Sequence, residues 1–332
     1  MSEARETFGC FGGTCAVVVD GPGPTGTRAA DAVAAARESL LGWHEQFSRF
    51  IPASELSRLN ADPRPEVPVS ALMGRLVEAV VDAGERTGGL VDGTLLPDIE
   101  AAGYLADLTR PLPLRLALGL APRRRPAAGS PEARWRRLAF DRDAGVVRRA
   151  PGVPLDSGGL VKGLLADVLA GALDRHAAFA VDCAGDLRLG GAARLERPVQ
   201  VASPFEPRIL HTFARAEGGV ATSGIGRRSW LDARGRPAHH LLDPATGRPA
   251  FTGLVQVTAL APTALEAEIR AKAALLSGPD RACDWLPDGG VLVGEDGGFE
   301  VVAPAQRERT TRTSSGASVT CAPGPAVRAV SR

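Results

Sequence analysis

The stretch Asp156-Ser-Gly-Gly-Leu-Val-Lys-Gly163 opens an apolar helical run to about residue 175, and Phe179-Ala-Val-Asp182 follows it as a strand. Two glycines ahead of a helix let the backbone approach a ligand closely, and the free amides of a helix start favour an anion. The spacing fits neither a Walker nor a Rossmann loop, so the segment alone also reads as a structural turn. Upstream, Ala16-Val-Val-Val19 reads as a strand and Arg28 to about His44 as a helix. Ser54 starts a short turn with Leu56 and Leu59. Ser70 caps a long helix in which Leu72, Leu76, Val77, Val80 and Val81 recur at helical spacing before Gly88-Gly89. Downstream, Leu138–Phe140 and Val146–Arg148 form a hairpin. Leu254–Ala261 reads as a strand, and Thr263 with Glu266 makes a capping box for a helix that Gly278 closes. Val291–Val293 and Val301–Val302 are the last strands. Helices and strands alternate without a regular βαβ rhythm, which predicts an α+β fold of mixed or antiparallel sheets with packed helices.

The 332 residues hold 39 Lys plus Arg against 38 Asp plus Glu, a balance that gives no field for collecting nucleic acid. Apolar content of 44% is enough for a core. No run approaches the ~18 apolar residues of a membrane span, and stable membrane insertion is not expected. The N-terminus has neither the basic start nor the apolar run of a secretory signal, so the expected location is cytoplasmic. Five scattered cysteines argue against a disulfide framework and against a structural zinc. Residues 1–303 are expected to form one domain, with a Pro/Arg-rich surface insertion or flexible loop at 110–137 and a disordered tail at 304–332. Only two of the 39 bases are lysine, Lys162 and Lys272.

Three further segments combine glycine, small hydroxyls and single charges: Gly88-Gly-Leu-Val-Asp-Gly-Thr94, Asp182-Cys-Ala-Gly-Asp186 and Ala221-Thr-Ser-Gly224. His240-Leu-Leu-Asp-Pro-Ala-Thr-Gly247 is denser, although an ordinary Asp-Pro turn has the same spacing.

Taken in order, these segments resemble the ApbE family, the FAD:protein FMN transferases. The likeness runs from about residue 11 to 302. It takes in Gly12-Gly-Thr14, Phe47-Ser-Arg-Phe50, Ser54-Glu-Leu-Ser-Arg-Leu-Asn60, Val91-Asp-Gly-Thr94, Ala102-Gly-Tyr104, the 156–163 turn, Thr222-Ser-Gly224 and His240–Pro249. The resemblance implies an ApbE-like fold with an FAD cleft between sub-domains. It implies cleavage of FAD, transfer of FMN to a Thr or Ser hydroxyl of an acceptor protein, and release of AMP. By the same resemblance Phe50, Val91, Asp92 and Gly93 touch the flavin nucleotide, Gly158 and Leu164 flank the pyrophosphate, and Leu242 packs nearby. Thr222, Ser223 and Gly224 offer donors. His240 or Asp243 receives the hydroxyl proton, since such a transfer needs an acceptor for it.

The chain departs from the family pattern in the magnesium site. The resemblance places that ion beside the Val161 carbonyl, Glu268 and Ala271, but Glu268 stands for the family's Asp and Lys272 for its Thr. Magnesium wants hard oxygen ligands, and a charged ammonium offers no lone pair. Glu268 and Lys272 are four apart in the order favourable for a helical ion pair. The expectation is that the Lys272 ammonium takes the place of the metal, beside Glu268 and the Val161 carbonyl. Gly12 and Ala184 also depart from the pattern. The alternative activities are an FAD pyrophosphatase and a non-catalytic FAD-binding protein.

Overall fold

The computed structural model describes residues 3–305 apart from 107, 109 and 151. Its backbone is an eight-stranded sheet in the order β1 (Glu3–Cys10), β2 (Gly13–Asp20), β6 (Ala178–Cys183), β7 (Asp186–Gly190), β10 (Gly218–Gly224), β15 (Leu254–Ala261), β16 (Gly290–Gly294) and β17 (Phe299–Val302). Every neighbouring pair is antiparallel. Position in the sheet explains the sequence of each strand. Central β15 is buried at seven of its eight residues and reads Leu-Val-Gln-Val-Thr-Ala-Leu-Ala, whereas edge strand β1 alternates exposed and half-buried residues. That polar edge is why β1 carries no strand signal in the sequence.

Smaller sheets surround this one. β3 (Glu66–Pro68), β4 (Leu138–Asp141) and β5 (Val146–Arg149) form a three-stranded sheet that contains the expected hairpin. β8 (Arg197–Ala202) pairs with β9 (Ile209–Arg215), β11 (Ser229–Leu231) with β12 (Pro237–His239), and β13 (Leu242–Asp243) with β14 (Arg248–Pro249).

The helices are α1 (Ala29–Phe47), α2 (Glu55–Ala61), α3 (Ala71–Arg86), α4 (Leu96–Ala101), α5 (Leu114–Leu120), α6 (Val161–Leu173) and α7 (Ala264–Ser277). Ser54, Ser70 and Thr263 each accept a hydrogen bond from the amide three residues on, so the expected caps at Ser70 and Thr263 form and Ser54 caps the short helix it starts. Glu266 turns outward to Arg86 and Arg270 and does not close the capping box. One core joins α1, α3, α6 and strands β2 and β6; a second joins β15, β16 and α7. Ile269 and Ala273 of α7 face the first core and Ala271, Ala274 and Leu275 the second, so this helix is buried on both sides.

The 110–137 segment does not stand apart from the body. It contains α5, and Leu114, Ala117 and Trp135 are buried in it. Residues beyond 305, most of the tail read as disordered, lie outside the described residues. Among the described residues no helix is long and apolar enough to cross a membrane.

Candidate active site

The N-terminal turn of α6 is held from three sides. Its Asp156 amide donates to the Gly93 carbonyl at 2.8 Å and Ser157 Oγ to the Phe47 carbonyl at 2.7 Å. Asn60 brackets Leu155, taking its amide and donating to its carbonyl, both at 2.8 Å. These bonds bring the turn, the 91–94 loop and the end of α1 around one cavity of about 300 Å³.

Gly163 then sets how close α6 comes to α7. A Cβ there would lie 2.7 Å from the Leu265 Cα and 2.8 Å from the Ala264 carbonyl oxygen, so only glycine permits this approach. The two helix starts cap each other. Asp167 accepts from the Ala264 and Leu265 amides, each at 2.9 Å, and Glu268 Oε2 accepts from the Gly163 amide at 2.9 Å.

Both lysines of the chain line this cavity. Lys272 Nζ donates to Glu268 Oε1 at 2.9 Å. Lys162 is ion-paired with Asp186 and lies 3.9 Å from Glu268. Burial, followed by the Asp186 charge, pushes the Glu268 carboxyl up, and the two ammonium groups oppose that shift. Four alternating charges thus lie together under the α6 turn, where each desolvated group has an opposite partner.

Of the residues singled out from the sequence, Phe50, Val91, Asp92, Gly93, Gly158, Val161, His240, Leu242 and Lys272 line the cavity together. Asp92 Oδ1 accepts from the Thr94 amide and hydroxyl at 2.8 and 2.6 Å, while its buried Oδ2 has no partner among the described residues. Burial pushes this carboxyl up, against the Thr94 bonds. His240 Nδ1 likewise has no partner. Burial, then the charge of Arg228, holds that ring well below the usual imidazole range.

The other named residues lie off the cavity. Leu164 is buried in the first core behind the turn, and Ala271 is buried on α7. Thr222, Ser223 and Gly224 sit in β10, paired with β15, and the Thr222 hydroxyl is shared with Thr258 at 2.8 Å. Asp243 is buried and occupied: its carboxylate accepts from the Ala128 and Ala245 amides and the Thr246 hydroxyl, with Arg125 at 3.4 Å. It braces the 243–247 turn. Glu268 does not line the cavity; it lies behind Lys272 and Lys162, which do, and accepts from the Gly163 amide.

The cavity also gathers residues that carried no role in the sequence. The Arg49 guanidinium lies 4.2 Å from the Phe50 ring centre and 4.7 Å from that of Tyr104. Tyr104 stacks on Trp230 at 5.2 Å and 20°. Arg228 reaches the wall from the loop after β10. In a chain so rich in arginine, neither Arg49 nor Arg228 stands out before the fold places it.

The donors do not suit a magnesium ion. Both Glu268 oxygens are committed, one to an ammonium and one to an amide. Among the described residues no three His, Cys, Asp or Glu side chains group where they could hold a metal ion.

The model of the ApbE family matches residues 11–292. The chain belongs to the ApbE family. Among curated relatives, the FAD:protein FMN transferase of Treponema pallidum is 32% identical over 151 residues, 41% of each chain. That match spans less than half of the relative's length. The FAD:protein FMN transferase of Klebsiella pneumoniae is 28% identical over 251 residues, 72% of this chain and 69% of the relative. The solved ApbE protein of Thermotoga maritima superposes with a TM-score of 0.73 at 24% identity, over 91% of this chain and 97% of that one. The flavin transferase ApbE of Vibrio cholerae gives 0.67 at 20% identity, over 92% and 97%. Both structures share the α+β ApbE fold with this chain.

Proposed function

We propose that the chain binds FAD as substrate in this cavity, transfers FMN to a Thr or Ser hydroxyl of an acceptor protein, and releases AMP. The acceptor oxygen attacks the phosphorus next to riboflavin. A phosphoester bond forms, the bridging P–O bond to AMP breaks, and the hydroxyl proton passes to His240. AMP leaves with the bridging oxygen.

The observation that carries this reading is the convergence of Phe50, Asp92, His240 and Lys272 on one wall system with the α6 turn. The exposed Phe50 ring offers a flavin an apolar face, and the unfilled Asp92 Oδ2 suits an N–H of a planar ring. Of the two proton acceptors the sequence left open, we favour His240. It lines the cavity with a free ring nitrogen, whereas Asp243 is spent on its turn. No step runs through magnesium. The Lys272 ammonium stands in its place as a point charge towards the phosphates, with the amides at the α6 start beside it.

Purified protein is incubated with FAD and a Thr-bearing acceptor protein, with and without EDTA. AMP is followed by chromatography and the acceptor by mass. AMP release with an equal gain of FMN on the acceptor, unchanged in EDTA, is the expected result. AMP without acceptor gain means a pyrophosphatase, and FAD binding without AMP means a binding protein; either overturns the transfer. Strict dependence on magnesium overturns the role given to Lys272.

A further inference from the structure

The cations around the cavity are not equivalent. Lys162 is matched by Asp186, Lys272 by Glu268, and Arg49 lies 3.5 Å from Glu100 and donates to the Tyr104 carbonyl. Arg228 has no carboxylate partner among the described residues. Its guanidinium makes one hydrogen bond there, from NH2 to the Phe11 carbonyl at 3.0 Å. Arginine carries five donors in a planar fork, so most of this group's donors are uncommitted at the cavity wall. Arg228 lines the same cavity as Lys162, in the first turn of α6, and His240.

The Phe11 contact adds a second role. Phe11 and Gly12 form the tip of the β1–β2 hairpin, both with positive φ (53° and 66°), and both line the cavity. Arg228 therefore ties the tip to the loop after β10, closing one side of the site. Its backbone carbonyl also accepts from the His240 amide at 3.3 Å.

We propose that Arg228 is the residue that grips the pyrophosphate of FAD, its free fork binding phosphate oxygens at the cavity that the α6 turn also lines. The proposal rests on FAD being the ligand and adds to that reading the group that recognises its charged centre. Lys272 brings one positive charge where a magnesium ion would bring two. A planar fork that can bind two oxygens at once supplies the missing charge together with orientation.

The test compares ligands that share the flavin and differ in phosphate. Binding of FAD and of riboflavin is measured by flavin fluorescence for the unaltered protein, Arg228→Ala and Arg228→Lys. The proposal expects Arg228→Ala to weaken FAD at least 10-fold while riboflavin changes less than 2-fold. Arg228→Lys, which keeps charge but loses the fork, is expected to fall between. Thermal unfolding of each variant follows the fold separately. Equal weakening of FAD and riboflavin overturns the proposal, because it assigns Arg228 only to holding the Phe11 tip. Unchanged FAD affinity overturns it too and leaves the transferase reading standing. Failure of the unaltered protein to bind FAD removes that reading and this proposal together.

Discussion

Phe50 is 39% exposed, large and apolar, and lines the cavity with the Arg49 guanidinium 4.2 Å from its ring centre. On the proposed function a flavin covers this ring. Phe50→Ala should weaken FAD about 5- to 10-fold, in keeping with the ~1 kcal/mol that an aromatic pair contributes beyond its area. Titration of flavin fluorescence measures it, and an unchanged affinity would remove Phe50 from the flavin site. His240 and Asp243, three residues apart, are separated by their surroundings. His240→Ala should lower the rate of FMN transfer by about 10²-fold or more at saturating FAD, whereas Asp243→Asn should leave the rate within about 3-fold and lower stability. Initial rates and urea unfolding on the same two variants decide it, and the reverse pattern would give the proton to Asp243. At this scale much was legible: the glycine turn, the two lysines and the histidine all reach the cavity. What was not legible was commitment, since the sequence does not say that Asp243 is already surrounded by donors or that Arg228 has no carboxylate partner among the described residues.

At the scale of elements, the joint between α6 and α7 holds the site. Gly163→Ala would push a methyl against α7 backbone, and overpacking of this kind costs about 1–3 kcal/mol. Glu268→Gln leaves Lys272, and in part Lys162, without its counter-charge in a buried place. Breaking one side of a buried pair costs about 3–5 kcal/mol. Urea midpoints should therefore order the variants as unaltered, Gly163→Ala, Glu268→Gln, from most to least stable. A Glu268→Gln variant as stable as the unaltered chain would mean that the pair is not desolvated as described. The serine and threonine caps were readable because capping is local in sequence. β1 was not, because an edge strand with one wet face keeps few apolar residues. Nor was the packing of 110–137, whose prolines and arginines mask the three apolar residues it buries.

At the scale of the whole molecule, stability is tied to pH through buried histidine. His239 lies edge-on to Phe251 at 4.7 Å, and burial holds its pKa down at about 3. The folded-state value is lowered, so between the ordinary value of about 6.5 and 3 the unfolded chain binds a proton that the folded chain does not. Stability is accordingly retained above about pH 6.5 and falls with acidification, by about 1.4 kcal/mol per pH unit for each such proton. His239→Leu removes that proton and keeps the apolar contact with Phe251. Between pH 7.5 and 5.5 the variant should lose about 1.4 kcal/mol less than the unaltered protein by urea unfolding. Equal losses would mean that His239 is not held neutral.

The sequence by itself determined the kinds and order of about half of the strands and helices, the caps of two helices and the family, because periodicity, capping and motif order are written in neighbouring residues. The tertiary structure alone decided which motif residues meet. Glu268 and Lys272 are one helical turn apart, but Asp186 and Lys162 join them only when β7 and α6 pack against α7. Thr222 to Gly224 lie in the paired strand β10, while Arg228 in the loop beyond it reaches the wall. Burial and pairing depend on contacts between residues far apart in the chain, and those contacts turn a scattered set of charges into a site.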